Sequence, residues 1–207
     1  MYIPKLNIME NQTEIFDFIK NNGFATLVSV NTEGVPFATH IPITLEFTSE
    51  NEPILRGHVS KANPHAKLLV ESPQALVIFQ GAHAYISSSW YTHENVSTWN
   101  YSAVHVYGKI RILSVEELLD SVTYLTSKYE APVENPKYVE KMSPDYVKKE
   151  IRGILGFEMT LDKVEAKAKL SQNRKDIDYQ NIVKELEETD DGQAQEVARQ
   201  MRAIRPS

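Results

Sequence analysis

The sequence predicts a mainly β chain with peripheral helices, an α+β fold built on a small antiparallel barrel. Three observations carry this. Stretches rich in β-branched and aromatic residues succeed one another across short turns, the pattern of hairpins and a meander. Six or more such stretches follow in sequence, with short helices inserted late, so strict strand–helix alternation is missing and a doubly wound parallel sheet is disfavoured. No internal repeat or low-complexity stretch breaks the pattern.

Residues 10–22 form the first predicted helix, with Ile15, Phe18, Ile19 and Asn22 on one face and Gly23 as its stop. FATLVSV (24–30) reads as a strand ending at the turn signal Asn31-Thr32-Glu33-Gly34, and VPFATHIPITLEF (35–47) as its hairpin partner. A third strand is expected over 53–59. Asn63-Pro64 marks a helix start, with Asn63 as N-cap, running to about Glu71. ALVIFQG (75–81) is a continuous apolar run and reads as a buried strand. AYISSSWY (84–91) then leads into the polar loop THENVST, and WNYSAVHVYGKIRIL (99–113) is another long strand.

Ser114-Val115-Glu116-Glu117 has capping-box spacing, so a helix runs from there to about Tyr129. Beyond a loop over 130–143, Ser143-Pro144 opens a short helix to about Ile154. GFEMTLDKVEAKAKL (156–170) alternates apolar and polar residues and reads as one last strand. Helices follow near 176–188 and 192–204, the second with an apolar stripe of Ala194, Val197, Ala198, Met201 and Ile204. The expected organisation is a barrel domain over 1–175 with inserted helices and a helical appendage over 176–207.

The 207 residues are 42% hydrophobic and 24% charged, as in ordinary globular proteins. The absence of cysteine excludes a disulfide framework, a thiolate zinc site and a cysteine nucleophile, and fits a reducing cytosol. A formal net charge of -6 sits badly with a grip on nucleic-acid phosphates, so direct DNA binding requires a local basic patch. The last two helices are adjacent, but the stretch 185–191 is strongly acidic and repels phosphate. The best basic cluster is Lys163, Lys167, Lys169, Arg174 and Lys175, readable as a ligand-facing edge or as a solvated one. The N-terminus lacks the apolar core of a signal peptide, and no apolar run is long enough to cross a bilayer. A cytoplasmic chain is the expectation.

The window Arg56 to Lys67, RGHVSKANPHAK, is the most informative for chemistry. A strand ends, a polar and cationic turn follows, and a capped helix begins. Helix N-termini attract anions. Ser60 offers a hydroxyl, and Lys61 and Lys67 offer charge for a terminal phosphate. The competing reading is a solvated turn with surface lysines. Beside it, Thr39-His40-Ile41-Pro42 should be a strand edge or bulge, because Pro42 cannot donate to a ladder. Its free backbone groups suit a flat polar heterocycle, although His40 by itself reads better as a hydrogen-bonded core histidine.

The six histidines, at 40, 58, 65, 83, 93 and 105, show no metal-site spacing, and no metal is expected. Trp90, Tyr91, Trp99 and Tyr101 crowd round the 92–98 loop and suit flavin stacking, a dimer interface or a barrel core. No nucleotide-binding glycine motif and no nucleophile–base pair occurs, so no catalytic residue is assigned.

MYIPK at the start, PFATHIP (36–42), GHVSKANPHAK (57–67), LVIFQGAHAYISSSWY (76–91), TWNYSAVHVYG (98–108) and KLSQNR (169–174) together closely resemble the PaiB family, in order and across nearly the whole chain. The resemblance implies an FMN-binding split β-barrel, distantly similar to pyridoxamine phosphate oxidases and flavin reductases. It implies FMN as cofactor and a homodimer with the flavin at the subunit interface. It further implies a negative transcriptional regulator, associated with sporulation and degradative-enzyme production in bacilli.

By the same resemblance Thr39, His40 and Ile41 run past the flavin ring, and His58, Ser60, Lys61 and Lys67 belong to the cofactor site. Trp99 and Asn100 approach the partner subunit's flavin. Lys169-Leu170-Ser171-Gln172-Asn173-Arg174 loosely echoes the final motif of the oxidases, but its first arginine is Lys169 here and its histidine is missing. That departure counts against pyridoxamine-phosphate oxidation. A flavin-dependent oxidoreductase acting on a small molecule, and a flavin-free dimeric interaction module, are the alternatives to the regulator.

Overall fold

Asn31 and Gly34 turn the first two strands back on each other. The Asn31 side chain accepts from the N–H groups of Glu33 and Val35 at 3.0 and 2.8 Å. Gly34 takes φ +79°, a conformation that side-chain-bearing residues rarely adopt. The hairpin so formed, β1 (Phe24–Val30) and β2 (Pro36–Phe47), is antiparallel, with Thr26 opposite His40 and Leu27 opposite Thr39. The computed structural model describes residues 1–205. Pro206 and Ser207, the last positions of the 176–207 appendage, lie outside the described residues.

The remaining elements, in chain order, begin with α1 (Gln12–Asn21), which precedes the hairpin. After it come β3 (Pro53–Ser60), α2 (His65–Glu71), β4 (Gln74–Ile86), β5 (Thr98–Ile112), α3 (Val115–Glu130) and α4 (Pro144–Arg152). The chain ends with β6 (Ile154–Thr160), β7 (Lys163–Lys169), α5 (Asp176–Glu187) and α6 (Gly192–Ile204). The strands pair in the order β4-β1-β2-β3-β6-β5-β7, and β4 also pairs with β5. That extra pairing turns the first six into a closed circuit, which leaves few open edges.

Two expectations change here. The expected single strand 156–170 is two strands, β6 and β7. The Thr160 hydroxyl donates to Asp162 at 2.7 Å and accepts from the N–H of Lys109 at 3.0 Å, a local turn that ends the β6 ladder. The strand expected over 75–81 instead continues to Ile86. Gly81 does not break it; a Cβ there would lie 2.7 Å from the Phe18 ring, so the glycine makes room for an aromatic.

The chain divides into two compact units. The first contains Met1–Phe18, Gln80–Val104 and the chain from Glu165 onward; the second contains Ile19–Phe79 and His105–Val164. In the first, α5 and α6 pack Tyr179, Ile182, Val183, Val197 and Met201 with Ile86 and Leu170. Ile204, counted in the expected stripe, stands half exposed instead. In the second, Leu27, Ile43, Leu55, Val77, Phe79, Phe157 and Met159 are fully enclosed. There β5 and β6 approach so closely that a Cβ at Gly108 would meet the Thr160 carbonyl oxygen at 1.8 Å.

A smaller cluster of Leu113, Leu118 and Ile151 lies under α3 and α4. The capping box of α3 is formed as its sequence predicts: Ser114 and Glu117 exchange side-chain-to-backbone bonds at 2.8 and 3.2 Å. Glu117 also takes the Arg111 guanidinium at 2.8 and 3.0 Å, which holds its carboxyl down to about 2. Among the described residues no helix is long and apolar enough to cross a membrane.

Candidate functional site

In the second unit, β2 and the turn between β3 and α2 bring Thr39, Asn63 and His65 together. The Asn63 amide donates to the Thr39 hydroxyl at 3.3 Å, and that hydroxyl lies 2.8 Å from Nδ1 of His65. A hydroxyl has one hydrogen, so Thr39 accepts from Asn63 and donates to an unprotonated Nδ1. Asn63 also caps the turn, accepting from the His65 N–H at 2.9 Å. The His65 ring is fully buried, meets Phe37 edge-on at 5.2 Å, and has no partner for Nε2 among the described residues.

The core histidine is therefore His65 and not His40. Strand alternation turns Thr39 and Ile41 to one side of β2 and His40 to the other. His40 is exposed, bonds Thr26 through Nδ1 at 3.0 Å, and stacks on Phe24 at 6.3 Å. Ile41 is buried. His58 is half-buried opposite Gly156, and burial pushes its pKa down.

The structure gives the rest of the cationic turn separate partners. The Ser60 side chain accepts from the Ala62 N–H at 3.2 Å. Lys61 crosses to the end of α4, where its Nζ donates to the Arg152 carbonyl at 2.9 Å. Lys67 is 78% exposed and faces Glu71 along α2 at 3.6 Å. No contact joins Lys61 to Lys67. Both ammonium groups are nonetheless on exposed residues, with only a weak surface pair at Lys67 to oppose an incoming anion.

In the first unit, a cavity of about 220 Å³ is lined by Thr98, Asn100, Lys169, Ser171 and Arg174, together with Asn7, Gln172 and Asn173, and by no carboxylate. Asn100 is fully buried, and its amide and the Ser171 hydroxyl lie within hydrogen-bonding distance through both amide atoms, at 3.0 and 3.1 Å. Ser171 holds φ +60°. Lys169 donates to the Thr98 hydroxyl and the Trp99 carbonyl. Burial first, then Lys167 and Arg174, push its pKa down. Trp99 is half-exposed, 5.9 Å from the Tyr85 ring and 6.0 Å from His83.

Sequence reasoning places Lys167 and Arg174 in a basic cluster but cannot tell a solvated charge from a buried one. Lys167 is only 5% exposed; its Nζ donates to the Tyr101 hydroxyl at 2.6 Å and the Tyr2 carbonyl at 3.3 Å. Arg174 lies over the Tyr91 ring at 4.9 Å, and its buried Nε has no partner among the described residues. An enclosed, unpaired guanidinium nitrogen beside a desolvated lysine suits an anion or an electron-rich ring edge. Among the described residues no group of three or more histidine, aspartate or glutamate side chains is placed to hold a metal ion.

Residues 1–163 match the family model described as "Putative FMN-binding domain". Protease synthase and sporulation protein PAI 2 of Bacillus subtilis (strain 168) is 40% identical over 201 residues, 97% of this chain and 96% of that protein. Among solved structures, the conserved hypothetical protein Rv2991 from Mycobacterium tuberculosis is similar with TM-score 0.59 at 14% identity, over 81% of this chain and 90% of that one. The FAD and heme binding protein from Mycobacterium smegmatis is similar with TM-score 0.57 at 16% identity, over 78% and 72% of the two chains. At such identities the two structures share the fold.

Because burial holds His58 and His65 below the ordinary histidine value of 6.5, the folded chain keeps both neutral. The unfolded chain binds more protons as pH falls through that value, so stability from this source is full above it and lost below, down through the lowered folded values. The denaturant midpoint is expected to fall as pH drops below 6.5, and His65→Gln to flatten part of that fall. An unchanged slope in the variant would remove His65 from the coupling.

Proposed function

The chain belongs to the PaiB family of FMN-binding split-barrel proteins, and from that membership we propose that it is an FMN-binding negative transcriptional regulator working as a homodimer. FMN is the cofactor of the family. The observation that carries the reading is the first unit's carboxylate-free cavity, with its buried, unpaired Arg174 Nε beside Lys169. That donor set fits a flavin, whose phosphate and pyrimidine edge both accept from cations.

In this reading, Ser60, Lys61 and Lys67 hold the phosphate while Thr39, His40, Ile41 and His58 border the ring. Trp99, Asn100, Lys169 and Arg174 belong to the second copy and face the ring from across the dimer interface. When bound, the flavin supplies redox chemistry; the protein's part is to bind, orient and polarise it.

The dimer is supported by the β1–β2 hairpin. Phe24 and Val30, at the two ends of β1, are 70% and 45% exposed, and Val35 in the turn that follows is 54% exposed; these apolar side chains suit burial against a second copy. The regulatory role is supported by the relative named for protease synthesis and sporulation. A net charge of -6 favours repression through a partner or a ligand signal over a direct grip on DNA. The second reading is a flavin-dependent oxidoreductase acting on a small molecule, in which the bound flavin itself carries the redox step.

Titration with FMN and with riboflavin separates the two cationic groups. Lys61→Ala with Lys67→Ala should weaken FMN by tenfold or more but leave riboflavin unchanged, since charge-assisted phosphate contacts contribute roughly 1.5–3 kcal/mol each. Lys169→Ala with Arg174→Ala should weaken both flavins. Equal FMN affinity in the Lys61/Lys67 variant would remove those residues from the phosphate site.

Sedimentation should show a dimer at micromolar concentration, and Phe24→Asp with Val30→Asp should shift it towards monomer; a wild-type monomer would sink the shared site. In cells, repression of a protease-gene reporter should be lost when the Lys169/Arg174 variant replaces the natural chain. Intact repression would separate regulation from flavin, and NAD(P)H consumption by the FMN-loaded protein would favour the oxidoreductase.

A further inference from the structure

The second unit contains a larger cavity, about 370 Å³, between the start of α3, the length of α4 and the first residues of β6. Its floor is apolar, formed by Leu118, Val147, Ile151 and Leu155. Leu118 and Ile151 are almost fully enclosed, and Gly156 lets α3 settle this close; a Cβ there would lie 2.5 Å from a Leu118 methyl. The charged side chains lining the cavity are Lys61, Lys148 and Arg152, three cations with no carboxylate among them.

These cations differ in what already occupies them. Lys61 donates one hydrogen to the Arg152 carbonyl at the C-terminal end of α4. Lys148 and Arg152 are exposed, and their side chains have no ion-pair partner among the described residues. Glu117, in the first turn of α3, is committed to Arg111 and to its own helix cap. In a chain of net charge -6, a carboxylate-free cationic rim on an apolar hollow is a local reversal of the overall charge.

We propose that this α3–α4 pocket binds a small amphipathic anion, a medium-chain carboxylate whose tail lies on Leu118, Val147, Ile151 and Leu155 and whose head meets Lys148 and Arg152. The volume is near the lower end of small-molecule pockets, which suits a single short acyl chain and excludes a two-tailed lipid. The apolar floor selects the tail by burial, and the rim selects the charge. Neither requirement involves flavin, so the site stands apart from the cofactor reading, although Lys61 belongs to both the cationic turn and this lip.

Calorimetric titration of the FMN-loaded, full-length protein with octanoate tests this, with 1-octanol and acetate as controls. Octanoate should bind saturably, and affinity should rise roughly fourfold per methylene from hexanoate to octanoate, the increment for burying one CH₂. Acetate should not bind, and 1-octanol should bind at least tenfold more weakly. Lys148→Glu with Arg152→Glu, both on the exposed face of α4, should weaken octanoate at least tenfold with an unchanged melting temperature. Val147→Trp, which fills the hollow, should abolish binding. No octanoate binding at millimolar concentration, equal binding of octanol, or undiminished binding in the folded Lys148/Arg152 variant would each overturn the proposal.

Discussion

A buried ammonium group organises the first unit. Lys167 is nearly sealed from solvent and forms no ion pair among the described residues, so its charge is met by dipoles and ring faces. The Tyr101 hydroxyl and the Tyr2 carbonyl accept from it, and the Tyr101 and Tyr2 rings lie 4.8 and 5.9 Å from Nζ. Removing a charge from water without a counter-ion is expensive, and it is tolerated where every donor finds an acceptor. Here the arrangement leaves positive charge uncancelled, and that charge is felt two residues away. Lys169 is pushed down by burial and then by Lys167 and Arg174. The cavity beside it is thereby given a sign before any ligand enters.

The second unit reaches a comparable end by other means. The cations of its β3–α2 turn are exposed, and the side chains beneath them are neutral: Thr39, Asn63 and His65 share their hydrogens in a chain that leaves the imidazole uncharged. The β1–β2 register fixes Thr39 on the inner side of its strand, and the Asn63 cap fixes His65 at the start of α2. A rigid neutral support with cations on its surface can accept a phosphate without first breaking a strong internal ion pair. Lys67, in a 3.6 Å surface pair with Glu71, has little to give up.

Local signals made much of this legible. The Asn31–Gly34 turn, the Asn63 cap and the Ser114–Glu117 box each act within a few residues, and each is formed as its spacing predicts. The family resemblance pointed to 57–67 and 169–174 as segments of interest. One miss was local: the apolar alternation of Phe157, Met159 and Leu161 changes parity to Val164, Ala166 and Ala168, and the Thr160–Asp162 turn divides β6 from β7 at that break. The other misses are non-local. Lysine is seldom buried, and the groups that bury Lys167 lie 66 and 165 residues away in sequence. Lys61 and Lys67 are close in sequence, yet one is bonded to the end of α4 and the other faces along α2. The enclosed histidine is His65, to which sequence reasoning assigns no role, and not His40, because strand parity and a helix start decide which ring is enclosed.

Ser171 carries a consequence for how this chain can vary. Its backbone occupies the left-handed region, which costs a non-glycine residue on the order of 1 kcal/mol, while its hydroxyl is tied to the enclosed Asn100 amide. Glycine would relieve the backbone but leave the Asn100 amide oxygen without the Ser171 donor; valine or threonine would crowd a conformation that branched side chains resist. Drift at this position is thus confined to small polar residues, and a compensating change at position 100 is the natural companion of any departure from serine.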